Sequence, residues 1–108
     1  MNDVISDLNR VILDRRAHPQ EGSYTNYLFD KGLDKMLKKV GEECAETIVA
    51  AKNGDNEQLC AEICDLAYHI LVLMAEVSLP LEQVEAELAG RRAKIGNLKE
   101  MRDTDKNT

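Results

Sequence analysis

Two long segments with helical periodicity, on either side of Gly54 and Asp55, constrain the fold of this chain more than any other feature. In residues 30–53, apolar side chains recur at every third or fourth position. They form a stripe that comprises Leu33, Leu37, Val40, Cys44, Ile48 and Ala51. Residues 55–77 carry a second stripe, which comprises Leu59, Ile63, Leu66, Ile70, Leu73 and Val77. Spacing of this kind predicts amphipathic helices that bury one face.

The residues between the two segments predict a tight turn. Gly54 suits the left-handed conformation that commonly ends a helix. Asp55 is a favoured residue at the start of a helix, and Gln58 lies three positions later, which is the spacing of a capping box. We therefore expect two long antiparallel helices joined at this turn.

Shorter helices are expected on both sides of this pair. Residues 4–16 have helical periodicity, and this segment ends at Pro19 because the residue before a proline disfavours the helical conformation. Residues 18–29 are predicted to form a polar connection. A last helix begins near Pro80, which suits a first turn. We predict an all-α, four-helix bundle-like protomer over residues 1–94, followed by a polar, frayed tail over residues 95–108.

Length and charge argue against several classes of protein. The chain has 108 residues, which argues for one domain. Its formal net charge of −6 argues against nucleic-acid binding, which requires a basic face. Its longest apolar run, residues 70–75, is too short to span a membrane. The three cysteines show no secreted disulfide pattern, so we expect a cytoplasmic protein with reduced thiols and with no nucleic-acid or membrane partner.

Five carboxylates interrupt the two long segments as two short clusters. Glu42, Glu43 and Glu46 precede the turn, and Glu62 and Asp65 follow it. Glu43 and Asp65 lie equally far from the turn, as do Glu46 and Glu62, so these four acids meet if the helices are antiparallel. Like charges at such distances repel and require a cation, and oxygen ligands suit Mg²⁺ or Mn²⁺. The alternative, which spacing alone leaves open, is a solvated acidic face.

The second long helix has a further apolar stripe, formed by Cys60, Cys64, Tyr68 and Leu71. Outside its acidic strip this helix is therefore apolar nearly all round, and it must be covered on two sides. Four short helices cannot easily surround it within one chain, so we expect a homodimer that packs through this helical core. His69 is expected to be partly buried and hydrogen-bonded to Asp65, with contact to a substrate as the alternative.

Several short segments resemble those of one enzyme family closely. They are Ser23-Tyr24-Thr25, Lys31-Gly32, Lys-Lys-Val-Gly-Glu-Glu at residues 38–43, Ala50-Ala51-Lys52, and Glu62-x-x-Asp65-Leu66-x-Tyr68-His69. Together they resemble the phosphoribosyl-ATP pyrophosphohydrolases, over roughly residues 4–92. The wider outline, Glu-Glu-x-x-Glu followed by Glu-x-x-Asp, is shared by the all-α MazG-like nucleotide pyrophosphohydrolases, so it specifies chemistry rather than substrate.

The resemblance implies a hydrolase that cleaves the α–β phosphoanhydride bond of phosphoribosyl-ATP. The products would be phosphoribosyl-AMP and pyrophosphate, in the second step of histidine biosynthesis. It also implies a pyrophosphohydrolase domain over residues 1–94 that takes a small-molecule nucleotide and Mg²⁺, with Mn²⁺ as a substitute. Two alternatives remain open: a house-cleaning nucleoside triphosphate pyrophosphohydrolase, and a non-catalytic helical dimerisation module.

The same resemblance implies roles for individual residues. The metal ligands would be Glu43, Glu46, Glu62 and Asp65. The catalytic acids would be Glu42, Glu43 and Glu46, although Glu42 is open to two interpretations, as the residue that orients or deprotonates a water or as a solvated side chain. Contacts to phosphate or ribose are implied for Lys39 first, and then for Lys38, Lys31, Ser23, Tyr24, Thr25, His69, Arg91 and Arg92. The structural alternatives are solvent exposure for the lysines, a turn cap for residues 23–25, and compensation of the helix dipole for the two arginines.

Overall fold

The computed structural model describes residues 3–94, which form five α-helices and contain no strand. The helices are α1 (Val4–Ala17), α2 (Tyr24–Lys31), α3 (Leu33–Lys52), α4 (Asn56–Glu76) and α5 (Leu81–Arg92). The predicted all-α class and the two long central helices, α3 and α4, are confirmed. The tail predicted for residues 95–108 lies outside the described residues.

The turn between α3 and α4 forms as its sequence predicts. Gly54 has a φ of 72°, in the left-handed region that glycine adopts without a steric penalty. Its N–H donates to the carbonyl of Ala51 at 3.1 Å, and the N–H of Asp55 donates to the carbonyl of Ala50 at 3.4 Å. These two bonds are those of a Schellman motif. They satisfy carbonyls at the end of α3 and reverse the chain, so α4 runs back along α3.

The predicted capping box at the start of α4 is only half right. Asp55 Oδ1 accepts a hydrogen bond from the N–H of Gln58 at 3.0 Å, so Asp55 caps the helix as expected. The Gln58 side chain does not turn back to Asp55, whose N–H already donates to α3. It runs along α4 instead, and its amide donates to Glu62 Oε1.

The polar connection predicted for residues 18–29 is wrong, because most of α2 lies in this segment. α2 begins after Ser23, whose hydroxyl accepts a hydrogen bond from a main-chain N–H of the first turn. It ends at Gly32, which has a φ of 88°, so α3 begins at Leu33 rather than near residue 30. A helix this short shows little periodicity and depends on tertiary packing, here supplied by the fully buried Leu28.

One hydrophobic core joins all five helices around the second half of α4. Its members are Ile12 from α1, Leu28 from α2, Met36 from α3, Leu71, Val72, Met74 and Ala75 from α4, and Leu81 from α5. At the same end, the guanidinium of Arg16 donates to the main-chain carbonyls of Ala75 and Glu76, which satisfies carbonyls at the end of α4. The first half of α4 lies outside this core, and its buried residue is Glu62.

The apolar stripes of α3 and α4, predicted to face the core, are largely exposed, and this prediction is wrong for a single chain. Leu37 is 48% exposed, Ile48 69%, Ile63 49% and Ile70 38%. Periodicity shows that a stripe needs a covering surface, but it does not show which surface covers it. Here α1 packs on α4, and α2 packs on both long helices, on other sides of the pair.

The two exposed stripes lie on the same side of the α3–α4 pair. The buried residues of α3 are Met36, Glu43 and Ala50, and each directly precedes a member of its stripe. In the same way Glu62 and His69 of α4 are buried and precede the exposed Ile63 and Ile70. Each residue rotates the side-chain direction of a helix by about 100°. In two antiparallel helices whose buried residues face each other, the residue after each buried one therefore points to the same side of the pair. We call the surface formed by Leu33, Leu37, Ile48, Ile63 and Ile70 the α3–α4 apolar surface.

α4 has the length and average hydropathy of a membrane span, which the longest apolar run in the sequence does not suggest. The core helix of a soluble protein meets the same criterion. α4 supplies four of the core residues and also carries the buried polar side chains of Glu62 and His69. In the single chain 33% of the 18-residue window of α4 that meets this criterion is buried, so the core accounts for only part of the hydropathy of α4.

Candidate functional site

Three carboxylates meet where the first half of α4 lies against α3. Glu43 on α3, and Glu62 and Asp65 on α4, each offer an oxygen atom, and these atoms lie within 4.8 Å of one another. Glu62 and Asp65 are one turn apart on α4, so they project on the same side, and the turn at Gly54 sets Glu43 opposite them. The structure thus brings together three of the four acids whose spacing predicts convergence. We call Glu43, Glu62 and Asp65 the acid trio.

Two members of the acid trio are buried and keep an oxygen without a partner. Glu43 and Glu62 are each 8% exposed. Within residues 3–94, the buried side-chain nitrogen and oxygen atoms that lack a hydrogen-bond partner are Glu43 Oε2 and Glu62 Oε2. Burying a carboxylate oxygen without a partner costs free energy, which a bound cation offsets. The donor set, made only of carboxylate oxygens, fits a hard divalent cation such as Mg²⁺.

The burial of Glu43 among other carboxylates also changes its protonation. Its pKa is raised to about 7, first because the side chain is buried. The neighbouring carboxyl of Glu62 and the negative charges of Glu46 and Asp65 raise this pKa further. Without a cation the trio therefore holds a proton near neutral pH that an isolated glutamate would release.

The other two predicted acids lie beside the trio rather than within it. Glu46 and Glu62 line the same cavity, and the neighbouring carboxyl of Glu62, with its negative charge, raises the pKa of Glu46. Glu42 is paired with two lysines: its Oε2 lies 3.5 Å from Lys39 Nζ and its Oε1 lies 4.0 Å from Lys38 Nζ. The metal role predicted for Glu46 and the catalytic role predicted for Glu42 stay predictions.

A polar aromatic cluster from α2 and α4 adjoins the acids. His69 is buried, and its Nδ1 lies 2.7 Å from the main-chain carbonyl of Asp65, so it bonds Asp65 as expected, through the carbonyl. Because a carbonyl only accepts, Nδ1 carries the hydrogen, and Nε2 accepts a hydrogen bond from the Tyr24 hydroxyl at 3.0 Å. Thr25 Oγ1 is hydrogen-bonded to the Tyr68 hydroxyl. Both nitrogens of His69 therefore have protein partners, and a contact with substrate would have to displace one.

The charge of Lys39 interacts both with this cluster and with the acids. The pKa of Lys39 is raised, first by the phenolate form of Tyr24 and then by the carboxylates of Glu42 and Glu43. The pKa of Tyr24 is also raised, first by its burial. Among the predicted phosphate ligands, Lys39 therefore carries a positive charge that interacts with Glu43 of the acid trio.

The remaining predicted contacts have local structural roles in the single chain. Ser23 caps α2, which is the alternative interpretation given above. Lys31 Nζ lies 5.8 Å from the centre of the Tyr27 ring. Arg91 Nε donates to Glu87 Oε1 at 3.2 Å along α5, and Arg92 is exposed. Roles of Ser23, Lys31, Arg91 and Arg92 in binding substrate stay predictions.

One residue of the site is absent from the sequence-based set. Gln58 donates to Glu62 and borders a cavity of about 270 Å³ beside the acids, lined also by Glu46 and Glu62 and by the apolar side chains of Ala45, Val49 and Ala50. The signal that points to Gln58 is its position four residues before Glu62, since such neighbours face each other on a helix. Gln58 also lies three residues after Asp55, which is the capping-box spacing, so the sequence does not decide between Glu62 and Asp55 as its partner.

Comparison with known proteins agrees with the motifs. Residues 5–92 match the family described as Phosphoribosyl-ATP pyrophosphohydrolase. A protein of Clostridium botulinum (strain Kyoto / Type A2) named Phosphoribosyl-ATP pyrophosphatase is 59% identical over 103 residues, which are 95% of this chain and 94% of the relative. A protein of the same name from Listeria monocytogenes serovar 1/2a is 53% identical over 100 residues, covering 93% of this chain and 96% of the relative. The resemblance stated from the sequence is confirmed: the chain belongs to the phosphoribosyl-ATP pyrophosphohydrolase family.

Proposed function

We propose that this protein hydrolyses phosphoribosyl-ATP at its α–β phosphoanhydride bond. The products are phosphoribosyl-AMP and pyrophosphate, and the reaction is the second step of histidine biosynthesis. The names of the relatives support the substrate, because the similarity spans nearly the whole of both chains. The observation that carries the chemistry is the pair of buried carboxylate oxygens without partners, on Glu43 and Glu62.

We propose Mg²⁺ as the cofactor, with Mn²⁺ as a substitute. Glu43, Glu62 and Asp65 would hold it, with Glu46 beside them. A bound divalent cation supplies neutralisation of charge on phosphate oxygens and lowers the pKa of a bound water. The negative charge of the acid trio would repel an anionic substrate, and a bound cation would offset this repulsion.

The chain's own residues then bind and orient the substrate. Lys39 supplies a positive charge beside the acids and is the best-placed group for a phosphate oxygen. Glu42, which is hydrogen-bonded to Lys39, orients the attacking water or accepts its proton. Tyr24, fixed by its hydrogen bond to His69, offers an aromatic face and a hydroxyl on the α2 side of the site.

We further propose that the protein acts in the cytoplasm as a homodimer. The α3–α4 apolar surface consists of side chains that are between 38% and 69% exposed in the single chain. Contiguous apolar surface of this kind marks an interface, and two-fold symmetry would cover the surface of both subunits at once.

The alternative functions make different predictions. A house-cleaning pyrophosphohydrolase would use the same acid trio on other nucleoside triphosphates, so only the substrate separates it from the leading proposal. A non-catalytic dimerisation module does not require buried carboxylates. The buried, unpaired oxygens of Glu43 and Glu62 therefore disfavour it.

A direct assay tests the proposal. Purified protein with phosphoribosyl-ATP and Mg²⁺ is expected to release pyrophosphate, and a chelator should abolish this release while the helical circular dichroism is retained.

Asp65→Asn and Glu46→Gln are expected to reduce turnover by at least about 10²-fold with little change in helix content, since each removes charge that the transition state requires. The matched control is Glu57→Gln, an exposed acid in the first turn of α4. Faster turnover of ordinary or modified nucleoside triphosphates would favour the house-cleaning alternative, and no pyrophosphate from any nucleotide would exclude catalysis.

A further inference from the structure

The two oxygens of the Glu62 carboxylate have different surroundings. Oε1 accepts a hydrogen bond from the side-chain amide of Gln58. Oε2 is buried and has no hydrogen-bond partner within residues 3–94. Glu62 therefore has one oxygen engaged by the protein and one left for a ligand, although both belong to the same group.

The first turn of α4 fixes the position of Gln58. Its main-chain N–H donates to Asp55 Oδ1 at 3.0 Å, which fixes the first turn of the helix. In a capping box the Gln58 side chain would bond back to the N–H of Asp55. That N–H is already used by the carbonyl of Ala50 in the turn, at 3.4 Å. The side chain of Gln58 is thus free to run along α4 to Glu62, one turn further on.

We infer that Gln58 is a positioning residue that makes Glu62 a ligand through one oxygen only. This inference rests on the proposed metal site. Mg²⁺ requires near-ideal octahedral geometry at about 2.0–2.1 Å, whereas Ca²⁺ takes 6–8 oxygens and readily binds a carboxylate through both. With Oε1 bonded to Gln58, binding through both oxygens of Glu62 breaks that bond. The amide therefore selects the smaller cation over the larger one.

Replacing Gln58 separates this role from a general effect on folding. Gln58→Leu keeps a side chain of similar size and removes the donor, which leaves Oε1 free. The matched control is Gln83→Ala, because Gln83 has the same position in the first turn of α5 as Gln58 has in α4 and is exposed. Circular dichroism checks that each variant keeps its helix content.

The experiment is a calorimetric titration of Mg²⁺ and Ca²⁺ into metal-free wild type, Gln58→Leu and Gln83→Ala, without substrate. For Gln58→Leu we expect Mg²⁺ affinity to fall by about 10–100-fold, as for other residues that orient a metal ligand. Ca²⁺ affinity should fall much less or rise, so the preference for Mg²⁺ over Ca²⁺ shrinks by at least about tenfold, while Gln83→Ala matches wild type.

Three results would overturn the inference. An unchanged Mg²⁺ affinity in Gln58→Leu would show that the amide does not matter, and an equal loss for both cations would show that it does not select between them. Either result leaves the metal site of the wild-type protein standing. A wild-type protein that binds neither cation and releases no pyrophosphate would instead remove the metal site itself and this inference with it.

Discussion

The carboxylate of Glu43 lowers the stability of the folded protein when no cation is bound. The side chain is 8% exposed, one of its oxygens has no partner, and its pKa is raised from an ordinary 4.5 to about 7. Between these two pH values the folded protein holds a proton that the unfolded chain has already released. Folding stability therefore falls as the pH rises through this range.

The first prediction concerns this pH dependence in metal-free protein. We expect the free energy of unfolding to decrease from about pH 4.5 to about pH 7 and then to level off. The decrease due to Glu43 should be of the order of 3 kcal/mol, since its pKa rises from 4.5 to about 7 and one pKa unit corresponds to about 1.4 kcal/mol. Urea denaturation at pH 5 and pH 8, in the presence of a chelator, measures it.

Glu43→Gln should remove most of this pH dependence, and the exposed Glu57→Gln should not change it. Mg²⁺ added at pH 8 should raise the stability of the wild type and of Glu57→Gln far more than that of Glu43→Gln. The prediction fails if Glu43→Gln keeps the pH dependence of the wild type.

The acids of the site can be predicted from the sequence, but the bonds that hold them cannot. The spacing of Glu43, Glu62 and Asp65 about a capped turn fixes their level along two antiparallel helices. The partners of Gln58 and His69 depend on which rotamers the packing selects, and each side chain has more than one possible hydrogen-bond partner within a turn of helix. This is why Gln58 bonds to Glu62 rather than completing a capping box, and why His69 bonds to a carbonyl of α4.

At the scale of the elements, Gly32 decides where α2 ends and α3 begins. Its φ of 88° and ψ of −170° belong to a region that is essentially restricted to glycine. A helical pattern that continues through residue 32 predicts one helix, whereas the structure has two, α2 and α3. The long helices can be predicted because periodicity accumulates over many residues, whereas α2 has only eight and is ordered by the burial of Leu28.

The second prediction compares two glycines in these elements. Gly32→Ala should destabilise the protein by about 1–3 kcal/mol, because alanine is strained at this φ and ψ. Gly41→Ala should stabilise it by about 0.5–1 kcal/mol, because Gly41 lies inside α3 and a Cβ there would have no neighbour within 4 Å. Thermal unfolding of the two variants checks both signs. A loss of stability in Gly41→Ala would contradict this prediction, because it would require a neighbour close to Gly41 that residues 3–94 do not supply.

At the scale of the whole molecule, the α3–α4 pair has two different sides. The acid trio adjoins α2 and the aromatic cluster around Tyr24 and His69, whereas the α3–α4 apolar surface faces away from the core. The sequence predicts the fold class because the two long central helices carry apolar stripes over many turns. It does not show which stripes a single chain covers by itself, since Ile48 and Ile63 follow the same periodicity as the buried positions.

The third prediction tests the α3–α4 apolar surface as the dimer interface. Sedimentation at micromolar concentration should give the wild type a mass of twice 12.1 kDa. Ile63→Lys should reduce this to a single 12.1 kDa, because a buried lysine without a partner disrupts a two-fold apolar interface. Val4→Lys is the control, since Val4 is 75% exposed and lies on α1, outside this surface. A wild type that sediments as a monomer would rule out the homodimer.

The concentration of the core around the second half of α4 has a consequence for how the molecule moves. Leu71, Val72 and Met74 tie that half to every other helix, while the half that carries Glu62 and Asp65 lies against α3 at the acid trio. Backbone amides near the turn can therefore exchange with deuterium through local opening, whereas those around Val72 exchange only when the whole chain unfolds. We therefore expect the end of the helical pair that carries the acid trio to open more readily than the end that holds the core.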